Sequence, residues 1–278
     1  MAQTPTLTQI LTDQQRDAFQ RDGVLCLEGL LSADRVRRAR EAVLRPLEQL
    51  GLWRDGAWRV EALPRPQWPA SGLKTAKAIG NKHPELEGLI EEPALLEVVN
   101  ALMDGRPFDR RVYKRPQVLF TLPNADAWFV PNGWHTDGPR LASGRAPGVQ
   151  LFTFLGAVGP GGGGTVVVAG SHRLLDEGRF MRVREMRRLL RRDAFFRDLY
   201  DGTTTGAGGG LPTGVVDGVP LRVVELTGAP GDVWLVDLLA LHAGAPNAAD
   251  RPRLMATHRF LCADVVAEMA QAHGWGDG

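Results

Sequence analysis

The chain is poor in cysteine and lysine and carries almost no net charge. Its two cysteines, Cys26 and Cys262, stand in apolar contexts among 278 residues. They have neither zinc-ligand spacing nor disulfide density. A disulfide-stapled scaffold is therefore excluded, and a reducing, cytoplasmic setting is expected. Both thiols read as buried packing residues. A net charge of +1 gives no field for a nucleic acid or an anionic membrane surface. No window approaches 18 unbroken apolar residues, so no transmembrane helix is expected. Residues 1–5 lack the basic start and apolar run of a signal peptide. Lysine supplies only four of the 33 basic residues, so arginine supplies the other 29. Their number carries no functional weight except where they cluster.

What is present is ordinary for a packed protein. Hydrophobic residues make up 44% and charged residues 23%, which argues against global disorder. The first third reads as helical. Thr12 is placed to cap a helix over 13–21, ended by Asp22-Gly23. A short buried strand follows over 23–27. Ser32 opens a helix from 33 to about 50, with Val36, Ala39, Val43, Leu47 and Leu50 on one face. Residues 51–69, with three tryptophans and three prolines, read as irregular. A further helix is expected over 93–103, with Pro93 in its first turn.

The pattern changes near residue 111. Segments 112–122, 149–158, 165–169, 221–226 and 233–238 are short, β-branched or aromatic, and punctuated by Gly, Pro and Asn. Such a run points to a sandwich or barrel rather than a doubly wound sheet. Two inserts interrupt it: a helical stretch over 181–200 holding seven arginines, and a Gly/Thr-rich loop over 201–214. No linker is marked. The reading is a single domain over 1–278, with a helical part over 1–110 and a β core over about 111–262.

Six histidines occur, and two open a His-x-carboxylate triplet. About one such triplet arises by chance in a chain of this composition, so context must separate them. His83-Pro84-Glu85 sits in a polar stretch where the proline fits a helix start. His135-Thr136-Asp137 sits at a strand end before the turn Gly138-Pro139. On extended backbone, residues i and i+2 project to one side and reach one ion. His242, at the end of the apolar run 233–241, is the second histidine. Two histidines and one carboxylate with open positions form the facial triad of non-heme Fe(II) oxygenases.

In these pieces the sequence resembles the phytanoyl-CoA dioxygenase family of Fe(II)/2-oxoglutarate oxygenases, which includes ectoine hydroxylase. Trp134-His135-Thr136-Asp137-Gly138 is similar to the family's His-x-Asp segment. The glycine turn 161–164, the strand 165–169 and Gly170-Ser171-His172 resemble its "PGSH" region, with Ala169 where the proline usually stands. Pro230-Gly231-Asp232 through His242, then Asn247 and Arg253, resembles its distal histidine and arginine. The pieces span roughly 110–260.

The resemblance implies a β-rich α+β fold: a jelly-roll (double-stranded β-helix, cupin-like) core with N-terminal and flanking helices. It implies that His135, Asp137 and His242 hold Fe(II), and that Arg253 pairs with the distal carboxylate of 2-oxoglutarate. Arg251, two residues earlier, is the local rival. Gln117 and Thr153 are further candidates for 2-oxoglutarate contact, set against ordinary solvated or cross-strand bonding. Trp134 and Arg140 flank the metal segment as candidate substrate contacts. With O2 as second cosubstrate, an unactivated C–H bond of a small molecule would be oxidised, most simply hydroxylated, with release of succinate and CO2. The presence of Asp137 disfavours the halogenase variant. His172 is assigned to the rim or fold. Segments 51–82 and 181–214 are candidate lids. The arginine-rich helix is read in two ways: a solvated face paired with Glu185, Asp193 and Asp198, or a contact for an anionic substrate. The competing classes are a cupin-like metalloenzyme without 2-oxoglutarate, a zinc enzyme, and a non-catalytic jelly-roll binding protein. Substrate identity and oligomeric state are left open.

Overall fold

A computed structural model describes residues 10–49, 51–59, 83–109, 115–203 and 210–273. Most of the lid candidate 51–82, and the middle of the 201–214 loop, lie outside these residues.

Helix α1, Asp13–Asp22, opens with a capping box: the Thr12 hydroxyl accepts from the Gln15 backbone N–H, and the Gln15 side chain accepts from that of Thr12. It ends at Gly23, which adopts φ 67°. A Cβ at Gly23 would lie 2.3 Å from His172 Nδ1, so glycine is required there by conformation and by space. Strand β1, Val24–Leu27, follows, then helix α2, Ala33–Gln49, which buries Val36, Ala39, Val43 and Leu47. The stretch expected to be irregular contains a small hairpin, β2 (Trp53–Arg54) with β3 (Ala57–Trp58). Helices α3, Pro84–Ile90, and α4, Pro93–Leu102, each carry proline in the first turn.

The β core is built from β4 (Gln117–Thr121), β5 (Gly148–Phe154), β6 (Thr165–Ala169), β7 (Thr213–Val216), β8 (Val219–Glu225), β9 (Val233–Asp237), β10 (His242–Gly244) and β11 (Arg253–Leu261). A five-stranded sheet has the order β1-β9-β5-β11-β4, and a four-stranded sheet the order β10-β6-β8-β7. Neighbouring strands are antiparallel throughout.

Period-two alternation sorts the strands' side chains between two cores. Val149, Leu151, Leu254, Ala256 and Phe260 face the helices α1–α4. Phe152, Phe154, Val167, Ala169, Val236 and Met255 meet between the sheets. The fold is the expected β-rich α+β jelly roll with outer helices. The expected helical insert is two helices, α5 (Val183–Leu190) and α6 (Ala194–Asp201). Asp193 divides them because its carboxylate accepts from the Phe195 N–H and caps α6. Leu190, Phe196 and Leu199 of the insert pack with Val166, Val168 and Val223 of the smaller sheet. Both outer faces of the sandwich are thereby covered. Helix α7, Ala263–His273, follows β11. No helix among the described residues is long and apolar enough to cross a membrane.

Candidate active site

The three ligand candidates converge because two chain segments pair at one point. His135 and His242 form an antiparallel bridge in which each backbone N–H donates to the other's carbonyl at 2.9 Å. The N–H groups of Asp137 and Gly138 both donate to the Leu238 carbonyl, at 3.1 and 3.0 Å. The His-x-Asp segment is therefore tied to the β9–β10 connection at both ends. One potential ligand atom from each of His135, Asp137 and His242 lies within 4.8 Å of the others. His242 Nε2 is 3.4 Å from Asp137 Oδ2, and His135 Nε2 is 3.8 Å from Asp137 Oδ1.

The proton inventory suits a metal. Nδ1 of His135 lies 3.0 Å from the Gly133 carbonyl, and Nδ1 of His242 lies 3.0 Å from the Ala240 carbonyl. A carbonyl only accepts, so each Nδ1 carries the hydrogen and each Nε2 keeps its lone pair. Burial, then the neighbouring His242, pushes the His135 imidazole below its ordinary pKa. Burial alone would raise the Asp137 carboxyl, but His242 and Arg259 outweigh it and hold it well below the usual carboxylate range. The cluster thus offers a neutral imidazole and an ionised carboxylate near neutral pH.

Arg259 is a residue that sequence reasoning missed. Its Nε and Nη2 reach Asp137 Oδ2 at 2.6 and 2.5 Å. It lies on β11 six residues after Arg253, an even number, so both face the space between the sheets together with Met255 and Thr257.

Arg253 is only 8% exposed. Its Nη1 donates to the Gly163 carbonyl at 2.5 Å and its Nη2 to Thr121 Oγ1 at 2.7 Å, while Nε has no partner among the described residues. No described carboxylate pairs with it, and burial lowers its pKa to about 10. A buried guanidinium without a counter-ion is costly and fits a site completed by an anion. Its rival Arg251 lies before β11, is exposed, and faces Asp250 at 3.7 Å.

The remaining candidates divide. Gln117 shares the parity of Leu119 and Thr121, pairs in register with Thr257, and is exposed at the end of β4. It is therefore on the same sheet face as Arg253. Thr153 is not brought to the cluster. It shares the parity of Val149 and Leu151, is fully buried, and its hydroxyl donates to the Asp232 carbonyl at 2.8 Å. Arg140 is not brought there either. It is 2% exposed, donates to the carbonyls of His172 and Leu174, and borders a different cavity beside His172 and Asp237. Trp134 is buried and borders a cavity that also reaches His135. His172 serves the fold, with Nε2 3.0 Å from the Gln20 carbonyl. His258 is packed against the Phe260 ring.

Comparison with known proteins fits this geometry. The model of the phytanoyl-CoA dioxygenase (PhyH) family matches residues 19–255. The chain belongs to the phytanoyl-CoA dioxygenase family. It is thus a non-heme iron, 2-oxoglutarate-dependent enzyme, with the His-Asp-His cluster such an enzyme uses. A search of the curated proteins finds no match. Among solved structures, the fold is similar to the non-heme alpha-ketoglutarate-dependent carbocyclase SnoK from nogalamycin biosynthesis. That match has TM-score 0.57 and 19% identity, over 94% of this chain and 87% of that one. AviO1 from Streptomyces viridochromogenes matches with TM-score 0.52 and 22% identity, over 94% and 98%. HygX from Streptomyces hygroscopicus, with nickel and 2-oxoglutarate bound, matches with TM-score 0.53 and 17% identity, over 91% and 88%.

Proposed function

We propose that this chain, acting as one catalytic domain, hydroxylates an unactivated C–H bond of a small organic molecule, with release of succinate and CO2. One observation carries the reading: three side chains that could hold a metal cluster on the same sandwich that buries an arginine with no counter-ion among the described residues. The residues fit both absent groups. His135, Asp137 and His242 would hold Fe(II) and leave positions open. Arg253 would hold the distal carboxylate of 2-oxoglutarate, with Gln117 on the same face. The iron, with 2-oxoglutarate and O2, supplies the oxidising power when bound.

The chain's own contribution is positional. The carbonyls of Gly133 and Ala240 fix both imidazole tautomers. Arg259 restrains Asp137 through one carboxylate oxygen. Thr121 and Gly163 aim the Arg253 fork. No side-chain general base is required, and none is assigned. Relatives of the same fold are described as holding nickel with 2-oxoglutarate or as acting in nogalamycin biosynthesis, which supports a small-molecule substrate. A zinc hydrolase needs no buried cation at position 253.

The deciding experiment is an anaerobic Fe(II) titration with and without 2-oxoglutarate, following the visible metal-to-ligand charge-transfer band. A band that needs far more 2-oxoglutarate in Arg253→Ala is expected. Folded, iron-loaded protein without a band would overturn the reading.

A further inference from the structure

Beside His135 lies a cavity of about 300 Å³, at the small end for small-molecule sites. Trp134 and His135 wall it on the core side, and Arg184, Met186, Arg187 and Tyr200 on the insert side. The cavity and the candidate metal cluster therefore share His135.

The wall of this cavity is mostly apolar, and its two arginines stand on the insert side. The Trp134 indole nitrogen and the Tyr200 hydroxyl are both buried, without a hydrogen-bond partner among the described residues. An indole N–H and a guanidinium donate only. Burial pushes the Tyr200 phenol up to about 12, so it keeps its proton at neutral pH. The Arg187 guanidinium stands 5.1 Å from the centre of the Tyr200 ring, which restricts where that charge sits.

The solvated-face reading of these arginines predicts pairing with Glu185, Asp193 and Asp198. Glu185 is instead taken by Arg179 at 2.8 Å, and Asp193 caps α6. Arg191 is paired, to Asp201 at 2.7 Å. Among the described residues, Arg184 and Arg187 have no such partner. Arg184 and Arg187 are exposed, so the cost of an unmatched buried donor falls on the Trp134 N–H and the Tyr200 hydroxyl. A ligand rich in acceptors removes it.

We propose that this cavity binds the substrate through an oxyanion, carboxylate or phosphate, carried on an otherwise apolar small molecule. Arg184 and Arg187 bind the anion, Tyr200 donates its hydroxyl, and Met186 and Trp134 wall the apolar body. Only the word substrate rests on the oxygenase reading, because oxyanion binding is measurable without turnover.

The test is equilibrium binding to the metal-free full chain. The probes are phenylalkanoic and cyclohexylalkanoic acids beside their amides, and the matching phosphate monoesters beside their alcohols. Wild type should prefer the anions about tenfold or more. Arg184→Ala/Arg187→Ala should lose that preference while keeping the fold, judged by circular dichroism. Arg188→Ala/Arg192→Ala, in the same insert but outside the cavity wall, should keep it, as should Arg253→Ala. Equal binding of acid and amide, or no anion bound by wild type at millimolar concentration, overturns the proposal. So does a preference lost in Arg253→Ala but kept in Arg184→Ala/Arg187→Ala, which would place the anion at the cosubstrate arginine. Whichever of carboxylate and phosphate binds more tightly identifies the oxyanion. If anions bind as expected but no charge-transfer band forms, the oxygenase reading falls and the anion cavity stands. A band without anion preference gives the reverse.

Discussion

The strand-borne cluster and the helical insert meet at His135, and they are built by different rules. The cluster is fixed by backbone. His135 and His242 are bridged to each other, Asp137 hangs from the Leu238 carbonyl, and the second nitrogen of each imidazole is held by a carbonyl. The insert offers the cavity side chains with few fixed partners. Arg184 and Arg187 are exposed, and Tyr200 holds a buried hydroxyl with no partner among the described residues. Backbone-held ligands keep their geometry through many substitutions elsewhere. Side chains on a short helix packed over the sheet can be exchanged without disturbing the sandwich. On the proposed reading, the strands carry the common chemistry and the insert the choice of substrate.

The largest expected effect breaks the cluster itself. Asp137→Ala removes the carboxylate and leaves two imidazoles beside Arg259. Fe(II) affinity should fall by on the order of 100-fold or more, since even loss of a residue that merely orients a ligand costs 10–100-fold. Calorimetric titration under anaerobic conditions measures it. Anion binding in the cavity should persist, because Asp137 is not in its wall. Parallel loss of both would show that the two regions are one site.

Next in size is Arg253→Ala. Charge-assisted hydrogen bonds to a carboxylate are lost, so 2-oxoglutarate affinity should fall roughly 10- to 100-fold with Fe(II) affinity unchanged. The charge-transfer titration reads the first and calorimetry the second. The pH dependence has a defined sign. Burial lowers the pKa of this cation to about 10, so it is charged below that value. Cosubstrate binding should be level through neutral pH and weaken as pH rises through about 10. In the complex, the bound carboxylate would hold the arginine's proton to higher pH, so affinity starts to fall at the free protein's value.

Arg259→Gln comes third. It keeps a donor near Asp137 but removes the charge and the fork that grips Oδ2. As a positioning residue, Arg259 should affect metal affinity by about tenfold. Cosubstrate affinity at saturating iron should move far less. A change in 2-oxoglutarate affinity as large as that for Arg253→Ala would recast Arg259 as a second carboxylate-binding arginine.

The sequence revealed the cluster more fully than its surroundings. His135-Thr136-Asp137 is readable because two residues apart on extended backbone is a local rule. Arg253 is readable only through the family resemblance, because Arg251, two residues earlier, shares its parity. Arg259 needed the register of β11, where the step of six from Arg253 keeps it on the inner face. Arg140 carried no local sign that its guanidinium turns to the carbonyls of His172 and Leu174, more than thirty residues away. The helices α1, α2 and α4 followed from caps and periodicity, within a residue or so at their ends. The split of the insert at Asp193 did not, because a capping aspartate inside a helical pattern looks like one more polar position.

The smallest expected effect concerns Thr153, where the sequence left two readings open. Strand β5 is buried along its whole length, from Gly148 to Phe154, so no apolar-polar alternation distinguishes its faces. The structure gives the inner face to Phe152 and Phe154, and Thr153 falls on the side of the helices. Its hydroxyl donates to the Asp232 carbonyl, within the turn that leads into β9. Thr153→Val keeps the shape and removes that bond. Stability should fall by about 1 kcal/mol, read as a lowered midpoint of urea unfolding. Affinity for 2-oxoglutarate should not change. A tenfold loss of cosubstrate affinity at unchanged stability would mean that β5 presents its other face to the site. The parity that separates the inner face from the helix-facing core would then be wrong along the entire strand.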